Sequence, residues 1–244
     1  MPDLTAAETV RAADAIVHDI GSKWMLDPAV SERGKELGFG NPFAFYFAGR
    51  GGVLGDVDGS VVWAALGFFE PGVVRAMWDE GVAVAGAREA ARRYAKAFTA
   101  WGEEHVPDDP RLCELAERVA NAADGAGLPL FCGWRAEPLP ESGPGRLVQV
   151  FQVLRELRGG LHLVATTAVG LSPLEAVLTH EGEGKAQFCG WQGGFPDCAH
   201  LKPQRGEAEE ITDRLAAKVY ERALSPSERA EFAALVEKAG SAIL

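Results

Sequence analysis

A chain of 244 residues with 35 acidic and 24 basic side chains carries a net charge of −11. That charge weighs against nucleic-acid phosphates as a partner, because they are met by clustered Lys and Arg that displace counterions. A hydrophobic share of 47% and a charged share of 24% exclude a disordered chain and leave room for one large core or two small ones.

No run of about 18 apolar residues occurs, so no transmembrane helix and no membrane partner are expected. The acidic start MPDLTAAETVRAADAIV lacks the basic region of a secretory leader. A cytoplasmic location is expected, with Cys113, Cys132, Cys189 and Cys198 as reduced thiols.

Thr5 with Glu8 three residues on is a capping box, and it opens a helix over 5–21 whose apolar face is Val10, Ala13, Ile16, Val17 and Ile20. His18 beside that face reads as a structural histidine. Residues 22–40 read as irregular with a short helix. Asn41-Pro42 then starts an aromatic helix through Phe43, Phe45, Tyr46, Phe47 and Arg50, which Gly51-Gly52 ends. Asp58-Gly59-Ser60 opens the apolar run Val61–Leu66, Gly67 turns the chain, and Glu70-Pro71 opens a further helix through Val73, Val74 and Met77. Residues 83–101, with Arg88, Arg92, Arg93 and Lys96, form the one basic helix. Its charges can be solvated, paired with the chain's acids, or offered to phosphate. Arg111–Ala123 is helical, and the Pro- and Gly-rich stretch 125–145 reads as a connector.

Val148, Val150, Phe151 and Leu154 mark a helix that Gly159-Gly160 is expected to break, followed by an apolar run over 161–169. Gly170 allows a tight turn, and Ser172-Pro173-Leu174-Glu175 is a second capping box. Helix, short helix, Gly turn and capped helix form a helix-turn-helix layout, although any compact helical hairpin has the same pattern. Glu181–Gly194, with Phe188 and Trp191, is expected to form a β-hairpin wing. Ala208–Ala223 and a helix opened by Ser225-Pro226-Ser227-Glu228 end the chain. Gly170 lies 103 residues after Gly67 in a similar layout, which suggests a repeat. The expected fold is therefore mainly α with small β wings: two tandem winged-helix-like modules forming a pseudo-dimer. The first module spans 1–124, the connector 125–145, and the second module with its terminal helices 146–244.

The reading helix of such a unit, Pro173–Glu181, has no Lys or Arg and offers Glu175, Thr179, His180 and Glu181. DNA-reading helices present Arg, Lys, Asn or Gln. His162 beside Arg155 and Arg158 could clamp an anionic ligand, or these side chains could simply pair and cap at the surface. The aromatic set Phe43, Phe45, Tyr46, Phe47, Trp63, Phe68, Phe69 and Trp78, with Arg50 at its edge, could wall an apolar pocket or belong to the core. His180, Cys189, Cys198 and His200 offer zinc-type donors, but their spacing is unlike paired knuckles. No phosphate-binding loop, dinucleotide motif or nucleophile elbow occurs, so no cofactor and no catalytic residue are assigned. The function expected is small-molecule binding, with a regulatory role, in an aromatic cleft with Arg155, Arg158 and His162 at its polar end. The alternatives are a helix-turn-helix DNA-binding regulator, in which a homodimer would pool Arg88, Arg92, Arg93 and Lys96, and an enzyme of specialised metabolism reusing the fold.

At Tyr46-Phe47-Ala48-Gly49-Arg50, Phe69-Glu70-Pro71, Leu128-Pro129-Leu130-Phe131 and Leu154–His162 the chain resembles an actinobacterial family described as SalK-like and as predicted helix-turn-helix. The similarity covers roughly residues 40–195. It implies a mostly helical protein with two winged-helix-like units and brings no activity. That family's pattern reads Arg-Glu-His-Arg-Gly-Asp-Gly-His around the Gly-Gly break, with Trp-His in the preceding helix. Here Leu157, Gly160 and Gln152 stand at the first His, the Asp and the helix His, while Arg155, Glu156, Arg158 and His162 match.

Overall fold

A computed structural model describes residues 2–244, and among them there are thirteen α-helices and no β-strand. In chain order the helices are α1 Ala6–Lys23, α2 Pro28–Glu36, α3 Pro42–Gly51, α4 Gly59–Leu66, α5 Pro71–Ala85, α6 Ala87–His105 and α7 Pro110–Ala122. They continue as α8 Pro129–Ala136, α9 Gly143–Ala168, α10 Pro173–His180, α11 Gly182–Phe188, α12 Lys202–Ala223 and α13 Pro226–Ile243. Local chemistry sets most of the starts. Thr5, Ser172 and Ser225 each close a capping box with a Glu three residues on, and Asn41, Asp58, Glu70 and Asp109 cap their helices through side-chain oxygens.

The chain is organised around α9. This helix of 26 residues packs against α1, α6, α7, α8 and α12. On one side α3 lies on α5 and α6, and α4 lies on α5. On the other, α1, α7, α12 and α13 pack on one another. One hydrophobic core runs through both sides, from Val10 to Ala239, with Trp24, Phe98, Phe131, Trp134 and Phe151 fully buried.

Three expectations are corrected. Gly159-Gly160 does not break the central helix, and α9 runs straight through it. A mid-helix glycine costs about 1 kcal/mol relative to alanine. That cost is outweighed because buried residues lie on both sides of the pair, from Leu147 to Leu157 and again at His162, Ala165 and Thr166. The wing is also absent: residues 182–188 of the expected hairpin form α11. Its buried residue Ala186 and the buried C-cap residue Cys189 are three apart, which is a helical and not an alternating spacing. Finally, the two winged modules of a pseudo-dimer are not there. The two Gly turns are alike, with Gly67 at φ 60° and Gly170 at φ 79°, each leading into a Pro-started helix. Upstream, however, one has the short α3 and α4 and the other the single long α9. Pro129–Ala136, inside the Pro- and Gly-rich stretch, forms α8 and packs on α9.

Between α9 and α10 the axis turns by 106° over four residues, which is the crossing and turn length of a helix-turn-helix. The α4–α5 turn packs beside the end of α11. Glu70 N–H donates to the Cys189 carbonyl (2.9 Å), and the Trp191 indole N–H donates to the Phe68 carbonyl (2.8 Å). Among the described residues no single helix is long and apolar enough to cross a membrane.

Candidate functional site

These packings leave a cleft of about 1010 Å³. Its floor is the face of α9 around Arg155–Val164. One wall is α3 with the α4–α5 turn, and the other is α10 and α11. Among the described residues, three of the large apolar side chains left exposed stand here: Val61, Val164 and Phe188, at 48%, 46% and 43% exposure. Exposed apolar surface gathered at one opening marks a binding site more often than scattered exposure does.

Beneath the floor lies a buried polar cluster. Arg50 on α3 holds Glu156 on α9 in a bidentate pair (Nε–Oε1 2.6 Å, Nη2–Oε2 2.8 Å) and donates from Nη1 to the Tyr46 hydroxyl (2.6 Å). Gln152 donates to the same carboxylate at 2.8 Å, one turn earlier on α9. Burial pushes the Glu156 carboxyl up, but the Arg50 guanidinium against it prevails and holds it below its ordinary value. Arg155 reaches this carboxylate only at 3.4 Å, and its Nε has no hydrogen-bond partner among the described residues. Burial first, and the neighbouring Arg50 second, depress its pKa. Two buried guanidiniums thus share one carboxylate.

At the other end of the floor α12 supplies most of the partners and α1 supplies Asp14. Arg158 donates to Glu209 at 3.1 Å and lies 3.9 Å from Asp14, and Arg205 lies 2.6 Å from Glu209. His162 Nδ1 lies 2.9 Å from the Thr212 hydroxyl, whose single proton is donated to the Ala208 carbonyl at 2.7 Å. The proton between His162 and Thr212 must therefore sit on Nδ1, leaving Nε2 as a bare acceptor. Burial, with Arg205 nearby, lowers the His162 pKa to about 4, so the ring is neutral at pH 7. Half-exposed His18, on the rim, is likewise lowered to about 4 by burial and by Arg155.

Of the residues singled out from the sequence, Arg155, Arg158, His162, Tyr46, Arg50 and Phe69 all border this cleft. Phe47 is fully buried behind it, and Trp63 spends its indole N–H on the Phe69 carbonyl at 2.9 Å. Arg88, Arg92 and Arg93 of the basic helix each meet a carboxylate, Glu137 or Glu89. His180, Cys189, Cys198 and His200 do not converge: among the described residues no group of three or more potential ligands could hold a metal. Cys189 is buried, and its thiol is pushed up to about 11.

Sequence reasoning missed Glu156 as the shared counter-ion and every contribution from α12. Gln152 and Glu156, four apart, were a legible signal. Thr212, fifty residues from its partner, was not. Phe68, one of the aromatic residues read from the sequence as a pocket wall, is at φ 54° the one described non-glycine residue with positive φ, and its ring lies 6.0 Å from the His162 ring. Strained backbone of this kind concentrates where a side chain must be aimed.

The fold and cleft define an all-helical protein in which a helix-turn-helix forms one wall of a ligand-sized cavity. The sequence model of a helix-turn-helix family matches residues 10–196, and the chain belongs to that family. Neither a curated protein nor a solved structure matches it. The matched stretch holds both Gly turns and α2–α11 but stops short of α12, which supplies Glu209 and Thr212 to Arg158 and His162.

Proposed function

We propose that this member of the helix-turn-helix family binds a small molecule in the cleft and serves as a ligand-responsive regulator. The observation that carries the reading is that the cavity is walled by α10 itself: Ala176, Val177 and His180, from the second helix of the helix-turn-helix, border it. An occupant therefore touches the element such a fold uses to contact its target, and can bias that element's position. A cavity near 1000 Å³ is at the upper end of small-ligand sites. Within the family we place the chain with the actinobacterial SalK-like group, on the motifs at Tyr46–Arg50 and Leu154–His162, and in the cytoplasm.

The test is native mass spectrometry of the protein isolated from its own host. The expected result is a retained small molecule that is lost in Val164→Trp, where an indole fills the mouth. A bare chain mass for the wild type, with no difference in stability between crude and desalted samples, refutes the reading.

A second reading, a DNA-binding regulator, is favoured by the family and by the 106° crossing with its four-residue Gly turn. Against it, α10 carries no Lys or Arg, and Arg88, Arg92 and Arg93 are already paired. Retention on duplex DNA that falls steeply with salt supports it. Absence of retention at low ionic strength leaves the cleft reading alone.

A further inference from the structure

Arg155, Gly159 and His162 fall at i, i+4 and i+7 on α9, so they form one stripe, and all three border the cleft. Each has a polar atom or an open face that the protein's own packing leaves unanswered. Arg155 is a cation with a half share of one carboxylate and an Nε without a partner among the described residues. Gly159 sits mid-helix, where glycine is a poor choice, yet a Cβ there would meet nothing within 4 Å. Its neighbour Gly160 differs, because a Cβ there would come within 2.9 Å of Leu128. Packing therefore accounts for Gly160 and leaves Gly159 as bare floor. His162 presents an acceptor nitrogen, fixed by the Thr212–Ala208 hydrogen bond, that has no partner among the described residues. Arg158 shares the orphan Nε, but it has Glu209 at 3.1 Å and Asp14 at 3.9 Å, whereas Arg155 has only the carboxylate that Arg50 already holds.

Resting on the cleft reading above, we propose that the occupant is an elongated aryl carboxylate bearing a hydroxyl or N–H donor at its far end. The carboxylate meets Arg155, the flat ring lies over Gly159, and the donor hydrogen-bonds to Nε2 of His162. From Arg155 to His162 the helix rises by about 10 Å (seven residues at about 1.5 Å each), a span that suits a bicyclic aromatic with substituents at opposite ends. The apolar flanks, Phe68, Phe69, Leu163 and Phe188, suit the ring. The neutral state of His162 at pH 7 is consistent with an acceptor role.

The test is calorimetric titration with three matched probes: 6-hydroxy-2-naphthoate, its carboxamide, and 2-naphthoate. Wild-type protein is expected to prefer the hydroxy-acid over the amide by at least tenfold and over 2-naphthoate by several-fold. Arg155→Met should abolish the acid-over-amide preference alone, His162→Phe the hydroxyl preference alone, and Gly159→Leu should block all three probes. Because Arg155 is under-partnered in the free protein, Arg155→Met should also melt no lower than wild type, which a structural arginine would not allow. Equal binding of acid and amide by wild type, or a retained acid preference in Arg155→Met, overturns the carboxylate assignment while the cleft reading stands. Failure of all three probes to bind wild type counts against the inference and the cleft reading together. A retained natural ligand in the mass measurement that is neither aromatic nor anionic overturns this inference alone.

Discussion

Neutralising Glu156 should destabilise the protein more than removing its principal partner Arg50, although the two form the same ion pair. The side chains are buried, at 8% exposure for Arg50 and 1% for Glu156, so screening by solvent is slight. Glu156→Gln keeps volume but leaves Arg50 and Arg155 buried together with no anion, and it turns an amide N–H₂ toward guanidinium N–H groups. Breaking a buried pair from one side costs about 3–5 kcal/mol. For a chain of this size that lowers the melting midpoint by about 6–10 °C.

Arg50→Met leaves one cation and one anion, because Arg155 already lies 3.4 Å from Glu156 and can take up the carboxylate. What is lost is the Tyr46 contact and one good bidentate geometry, about 1–3 kcal/mol in all. Urea unfolding of wild type and both variants, followed by circular dichroism, measures the ranking. If Arg50→Met is as costly as Glu156→Gln or costlier, the picture of two guanidiniums sharing one carboxylate is wrong.

Two buried groups should pull the acid stability in opposite directions. Asp14 is pushed up to about 6 by burial, even though Tyr220 donates to it. The native state therefore holds a proton there that the unfolded chain has lost above about pH 4, and stability falls as pH rises from about 4 to 6. Asp14→Asn should remove that fall, as seen in melting temperatures across the window. His162, held near 4, binds its proton in the unfolded chain first, so its contribution is present above pH 6.5 and is lost as pH falls toward 4. His162→Gln should flatten that loss, and an unchanged pH profile in either variant contradicts the assignment. Gly67→Ala should destabilise by about 2 kcal/mol or more, because φ 60° disfavours a side chain and the Cβ would press within 2.6 Å of Leu163 on α9. A neutral result by thermal melting would mean that the turn and α9 are not tightly docked.

What was legible before folding was whatever depends on neighbours in sequence. The capping residues Thr5, Asn41, Asp58, Glu70, Ser172 and Ser225 announced their helices because a cap is satisfied within three residues. The turns at Gly67 and Gly170 were legible because positive φ selects glycine. Tyr46, Arg50, Phe69, Arg155, Arg158 and His162 border one cleft, and their pairing was not legible in the sequence. The misjudged elements were those where local preference and long-range packing disagree. Gly159-Gly160 and the Gly-rich 181–194 stretch look like breaks or hairpins locally, and burial against other helices makes α9 and α11 instead.

By itself the sequence determined a mainly helical chain, the places where many of its helices start, two Gly-turned helix pairs, and a net charge of −11. Only the tertiary structure decided that α9 runs unbroken through one shared core, that Glu156 lies under two arginines, and that Thr212 fixes the tautomer of His162. The physical reason is range. Caps and turns are settled by hydrogen bonds to adjacent backbone. The path of a helix through glycine, the counter-ion of a buried arginine and the proton on an imidazole are settled by groups fifty to a hundred residues away, brought close only when the core is buried.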